Sequence, residues 1–192
     1  MSAKRQSTSD PSQDNWRRDC YDWLQMLTIV LVAVVMVFTF FGMVISVVGS
    51  SMYPTLHDKD IMVAYRLGYT PAQGDVVVIR KDTFMEEAIV KRVIATEGQE
   101  VQIDYDANLV YVDGVALDEP YINQEDPDVM EERQGMVYKE FTVPEGCIFV
   151  MGDNRNGSTD SRFGSLGMVD TDYVLGRAIC VLFPFSDFKL LL

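Results

Sequence analysis

The sequence predicts a mainly β fold, an antiparallel barrel or folded-sheet domain, behind one N-terminal transmembrane helix. Three observations predict it. A long uncharged apolar run lies near the N-terminus, short β-rich runs separated by turn residues fill most of the remainder, and no helical pattern of useful length follows the apolar run. Strands without intervening helices exclude a βαβ architecture and leave an antiparallel barrel or folded-sheet system.

The apolar run comes first. Met26–Val48 is 23 residues interrupted only by Thr28, Thr39, Gly42 and Ser46, and no charged side chain lies between Asp22 and His57. As a helix it would extend about 34 Å, enough for a bilayer core. Trp16, Tyr21 and Trp23 stand at its front edge, where an aromatic belt belongs. The run is too long for the apolar region of a cleavable signal peptide, which covers about 7–15 residues. An uncleaved anchor over 24–48 is therefore expected. Lys4, Arg5, Arg17 and Arg18 precede it, against Lys59 and Arg66 shortly after, which predicts the N-terminus inside and residues 49–192 outside. Residues 1–22 carry balanced charges, with 1–14 rich in Ser, Gln and Asp, and read as a disordered cytoplasmic tail.

The strands follow. Asp60–Tyr65, Asp75–Arg80, Ala88–Ala95, Glu100–Tyr105, Leu109–Val112, Lys139–Val143, Cys147–Met151 and Val174–Leu182 are β-rich. Breakers separate them, with Asp113-Gly114 the clearest hairpin turn. An acidic connection over 123–138 is either a solvated loop or a flap.

Composition narrows function. The net charge of -13 excludes a general nucleic-acid binder, which needs a basic face. Three cysteines make no disulfide scaffold, and a single histidine leaves little material for a His-rich metal site or a Ser-His-Asp triad.

Three segments carry candidate chemistry. In Gly49-Ser50-Ser51-Met52-Tyr53-Pro54-Thr55-Leu56 a restricted turn can aim a hydroxyl, and its backbone N–H groups can face an oxyanion. In Val90-Lys91-Arg92-Val93-Ile94-Ala95 successive side chains point to opposite faces, and an inward lysine has its pKa lowered by desolvation, as an amine base requires. In Met151-Gly152-Asp153-Asn154-Arg155-Asn156-Gly157-Ser158-Thr159-Asp160-Ser161-Arg162-Phe163-Gly164, paired charges can brace a loop and Ser158 can orient an amine. Read alone, each has an ordinary counterpart: a loop, an edge-strand lysine, a polar or Ca²⁺-binding surface loop. The EF-hand form of the last fails for want of a closing Glu and flanking helices.

In this order, and joined by Gly74-Asp-Val-Val-Val-Ile, the segments resemble the bacterial type I signal peptidases of peptidase family S26, in their single-anchor, Gram-positive-like form. The resemblance covers the anchor and nearly all of 47–185, and it implies a smaller inserted β region at about 103–142 that carries the acidic connection. It implies a serine endopeptidase that removes signal peptides from secreted preproteins after Ala-x-Ala-like sites, using a Ser–Lys dyad and no metal or organic cofactor. It implies single-pass placement in the cytoplasmic membrane with the active domain on the outer face. The expected partners are preproteins and membrane lipid, with the translocation machinery an open one.

Carried over, Ser51 is the expected nucleophile and Lys91 the base. Ser158 orients the amine, while Asp160, Arg162, Asp153, Asn154 and Arg155 support it. The oxyanion donors are Ser51 with Ser50 or Gly49. Val47, Val48, Met52, Leu56, Ile89 and Val90 form shallow pockets for small side chains. Some members carry serine where this chain has Gly49, and Thr96-Glu97-Gly98 replaces a commoner Pro-containing turn. A membrane-anchored binding or assembly module without catalysis is the competing reading.

Overall fold

The computed structural model describes residues 11–122 and 130–191. Helix α1 spans Pro11–Phe41. Among the described residues it is the one helix long and apolar enough to cross a membrane, over Arg18–Met36. Two boundaries of the sequence reading change. Residues 11–22, expected to be disordered, belong to α1. At the other end α1 stops before Gly42, and Met43–Ser46, expected inside the anchor, is strand β1. The physical reason is local: Gly42 is a poor helix residue, and the β-branched Val44 and Ile45 that follow suit a strand.

The remaining strands are β2 (Ile61–Tyr65), β3 (Val76–Ile79), β4 (Ile89–Thr96), β5 (Glu100–Asp104), β6 (Leu109–Val112), β7 (Val115–Ala116), β8 (Glu140–Thr142), β9 (Cys147–Met151), β10 (Val169–Asp170), β11 (Val174–Phe183) and β12 (Lys189–Leu190). Every strand pairing is antiparallel. The larger sheet runs β1-β2-β11-β3-β4-β9-β10, with β12 added to β11, and the smaller runs β7-β6-β5-β8. The smaller sheet is the expected insertion, begun at Glu100 rather than 103. Of its acidic connection, 123–129 lie outside the described residues.

Strand β3 is buried at every position and β4 at all but its ends, as expected of strands packed on both faces. Two cores result. Val76, Val78 and Val90 pack with Val47, Met52, Leu56 and Met62, while Val77, Ile79 and Val93 pack with Ile148, Val150 and Leu166. A third core, including Val101, Val110, Phe149 and Met151, lies under the smaller sheet. The Asp113-Gly114 turn between β6 and β7 has φ of 52° and 76°, the double positive φ of a type I′ hairpin. Cys20, Cys147 and Cys180 are free thiols.

Candidate active site

The turn that carries Ser51 leaves β1 directly. Val47 N–H donates to Asp60 O at 2.8 Å and Lys59 N–H returns to Val47 O at 2.9 Å, closing the segment into a loop. Gly49 has φ +88°, a conformation that favours glycine. Its N–H donates to Asp58 Oδ1 at 2.8 Å. Met52 and Leu56 plug the loop into the core, 2 % and 0 % exposed. Ser51 is left with its hydroxyl facing Lys91, whose Nζ donates to Ser51 Oγ at 2.7 Å and to Val90 O at 3.1 Å.

Lys91 is 3 % exposed, and this burial drives its pKa from an ordinary 10.5 down to about 8. Asp160 and Asp153 pull it upward and Arg162 pushes it down. The adjacent Arg92 is also buried, which alternation alone does not predict. Its guanidinium binds both oxygens of Asp153 at 2.8 and 2.6 Å, donates to Gly74 O at 2.8 Å and stacks on Tyr121, 3.8 Å from the ring centroid. Thr55 donates to the same Asp153 carboxylate. Asp153 thus braces β4 against the far end of the Ser51 loop.

The loop after β9 completes the surround. Asp160 and Arg162 form a wholly buried pair, with Nε–Oδ1 at 2.8 Å and Nη2–Oδ2 at 2.9 Å. Burial alone would raise the Asp160 carboxyl, but bonds from Arg162 and the Gly152 N–H outweigh it and hold the group below its ordinary range. Asn154 pins the Ser51 turn itself: its N–H donates to Ser51 O and its Nδ2 to Ser50 O, both at 3.1 Å. Arg155 donates to Gly152 O at 3.2 Å and pairs with Glu119 at 2.9 and 2.5 Å. Glu119, Tyr121 and Arg133 escaped the sequence reading. Arg133 donates to Ser158 O at 2.6 Å, from a segment of no recognisable pattern.

Three expectations change. Ser158 is buried, and no hydrogen bond joins its hydroxyl to Lys91 Nζ. Leu56 is core rather than pocket lining, because its 0 % exposure leaves no surface for a ligand. The Gly49 N–H is occupied by Asp58, and the Ser50 carbonyl takes Tyr53 and Asn154. The Ser51 N–H has no partner among the described residues and remains open to an oxyanion. The other expected lining residues, Val47, Val48, Met52, Ile89 and Val90, border a cleft of about 310 Å³ containing Ser51 and Lys91. Phe84, Met85, Glu87 and Thr159 also line it.

Gly152 is packed directly against the Ser51 turn. A Cβ there would lie 2.4 Å from Ser51 O and 2.4 Å from Ser158 Oγ. Gly152→Ala is expected to displace the Ser51 backbone and lower kcat by about 10²-fold or more while the chain still folds. Steady-state kinetics beside a thermal melt check this, and unchanged kcat would show that the turn yields freely.

A serine hydroxyl held on a buried amine, at the wall of an apolar cleft, is the apparatus of a serine endopeptidase. The family model for signal peptidases, peptidase S26, matches residues 20–183, and the chain belongs to that family. It is 32% identical over 186 residues to signal peptidase I of Bacillus licheniformis, covering 94% of this chain and 98% of the relative. To signal peptidase IB of Staphylococcus aureus (strain N315) it is 30% identical over 190 residues, covering 90% and 94%. A crystal structure of a signal peptidase I from Enterococcus faecalis V583 matches with a TM-score of 0.45 at 29% identity, covering 57% of this chain and 97% of that one. Membership makes the chain a membrane-anchored serine endopeptidase that cleaves signal peptides, and the reading as a binding module without catalysis falls.

Proposed function

We propose that Ser51 is the nucleophile and Lys91 the general base with which this signal peptidase cleaves preproteins after small-x-small sites. The observation that carries the proposal is the 2.7 Å contact of Ser51 Oγ with an amine whose pKa is lowered to about 8. At pH 7 about one such amine in ten is neutral, against roughly one in three thousand at an ordinary 10.5. The neutral amine takes the Ser51 proton as Oγ attacks the scissile carbonyl. The Ser51 N–H faces the oxyanion, and the lysine then gives its proton to the leaving amine. Water, with Lys91 again as base, frees the acyl group and regenerates Ser51.

A substrate strand lying in the cleft would present alternate side chains to Val47, Val48, Met52, Ile89 and Val90. Their shallow apolar walls suit alanine-sized groups. Asp153, Asn154, Arg155, Asp160 and Arg162 act as positioning residues. Residues 1–22 lie on the cytoplasmic side in this proposal, α1 crosses the bacterial cytoplasmic membrane, and residues 49–192 work on its outer face, next to lipid and the translocation machinery. The basic residues before the helix support that orientation.

The test is cleavage of a preprotein by the detergent-solubilised full chain beside Ser51→Ala and Lys91→Ala. Both variants are expected to lose about 10⁴–10⁶-fold in kcat with unchanged folding. Activity surviving Lys91→Ala would assign the base elsewhere.

A further inference from the structure

A few residues beyond Ser51, the chain's single histidine meets two carboxylates. One potential ligand atom each from His57, Asp60 and Asp187 lies within 4.8 Å of the others. His57 and Asp60 sit at the end of the nucleophile loop, and Asp187 closes a short 3-10 turn, Phe185–Asp187, near the C-terminus.

Two further observations bear on this cluster. The Asp60 side chain is only 2 % exposed, and its one ion-pair partner among the described residues is His57 Nδ1 at 3.9 Å. Its Oδ2 accepts the His57 backbone N–H at 2.9 Å, and among the described residues no lysine or arginine pairs with the carboxylate. A buried carboxylate without a cation is electrostatically costly. The His57 ring, meanwhile, is held edge-on to Tyr53 at 5.4 Å, yet its side chain is 47 % exposed and open to a ligand.

We infer that His57, Asp60 and Asp187 form a binding site for a divalent transition-metal cation of the Zn²⁺ class. One imidazole nitrogen and two carboxylates suit Zn²⁺, whereas Ca²⁺ and Mg²⁺ favour all-oxygen shells. Tetrahedral ligand atoms stand roughly 3.4 Å apart, so the three groups need to close by about 1 Å. The half-exposed His57 ring and the partly exposed Asp187 can supply that movement. Water fills the remaining position.

The cation would clip the C-terminal segment to the nucleophile loop. That segment already seats Leu191, 8 % exposed, in the core that holds Val47, Met52 and Leu56. The site is therefore a tether, independent of the assignment of Ser51 and Lys91.

The experiment is Zn²⁺ titration of the untagged, chelator-stripped full chain in detergent, followed by calorimetry and thermal melting. One Zn²⁺ per chain is expected, with a dissociation constant of about 10 μM or tighter and a melting midpoint several degrees higher. His57→Ala and Asp187→Asn should each weaken binding at least tenfold, while metal-free preprotein cleavage by both stays within about twofold of wild type and reports their folding. No Zn²⁺ binding at 100 μM overturns the inference. So does binding that survives both substitutions, or Ca²⁺ and Mg²⁺ binding as tightly without dependence on His57. Loss of cleavage in metal-free His57→Ala would overturn the separation of this site from the chemistry.

Discussion

Lys91→Met is expected to abolish cleavage and, at pH 7, to raise the melting midpoint. The amine sits where its charge is disfavoured, so the folded chain gives up this proton at about pH 8 and the unfolded chain at 10.5. Below pH 8 both states are protonated, and folding bears the full cost of burying the charge. Between pH 8 and 10.5 the unfolded state binds more protons, so stability rises with pH, and above 10.5 the cost is gone. The gap between 10.5 and about 8 corresponds to about 3 kcal/mol. Methionine, unbranched and apolar, should recover about 1–3 kcal/mol at pH 7, or roughly 3–10 °C in midpoint. The gain should vanish near pH 11. In the wild type, kcat/KM should climb nearly tenfold per pH unit below pH 8 and level off above it. Melting curves at pH 7 and 11 beside a pH–rate profile check both halves. A less stable Lys91→Met at pH 7 would mean that the amine is well solvated or that its bonds outweigh its burial.

Arg162→Ala is expected to produce the largest loss of stability among the support residues. Both members of the pair are 0% exposed, and Arg162 also donates to Arg155 O. Removing the guanidinium strands a buried carboxylate and opens a cavity, costing about 3–5 kcal/mol. Kinetics should move as well. Arg162 pushes the Lys91 pKa down and Asp160 pulls it up, so the pH–rate midpoint should shift upward in Arg162→Ala. The double variant Asp160→Leu/Arg162→Met should regain much of the stability, because apolar groups replace a buried pair better than a half-pair does. Chemical denaturation and the pH–rate profile are the two measurements. A double variant no more stable than the single one would mean that the loop needs the pair's directional bonds.

The sequence made some of this legible and hid the rest for identifiable reasons. Strands such as β2, β5 and β9 could be read because β-branched runs between turn residues have few other solutions. Strand β1 could not, since an apolar run has no periodicity that separates the end of a helix from the start of a strand. Ser51 and Lys91 were legible as a hydroxyl in a restricted turn and a lysine in an apolar run. Glu119, Tyr121 and Arg133 were not, because each reaches the loop after β9 or Arg92 only through tertiary contact. Leu56 was misread for the converse reason: adjacency to a nucleophile does not distinguish a pocket wall from the plug beneath it. His57, Asp60 and Asp187 illustrate the same limit, with over a hundred residues of chain between Asp60 and Asp187.

Strand β4 carries two buried cations side by side, one directed to Ser51 and the other to Asp153, with Lys91 opposite Val77 and Arg92 opposite Val76 on β3. The site is consequently a parity device. Sliding β4 by one position along β3 would offer Ser51 a guanidinium, a group that stays protonated and cannot take the base's part in the proposed mechanism. The segment joining these strands can vary in length only while the ladder keeps its count. Catalytic competence here is fixed by odd and even along a hydrogen-bonded ladder before any side chain is chosen for its reactivity.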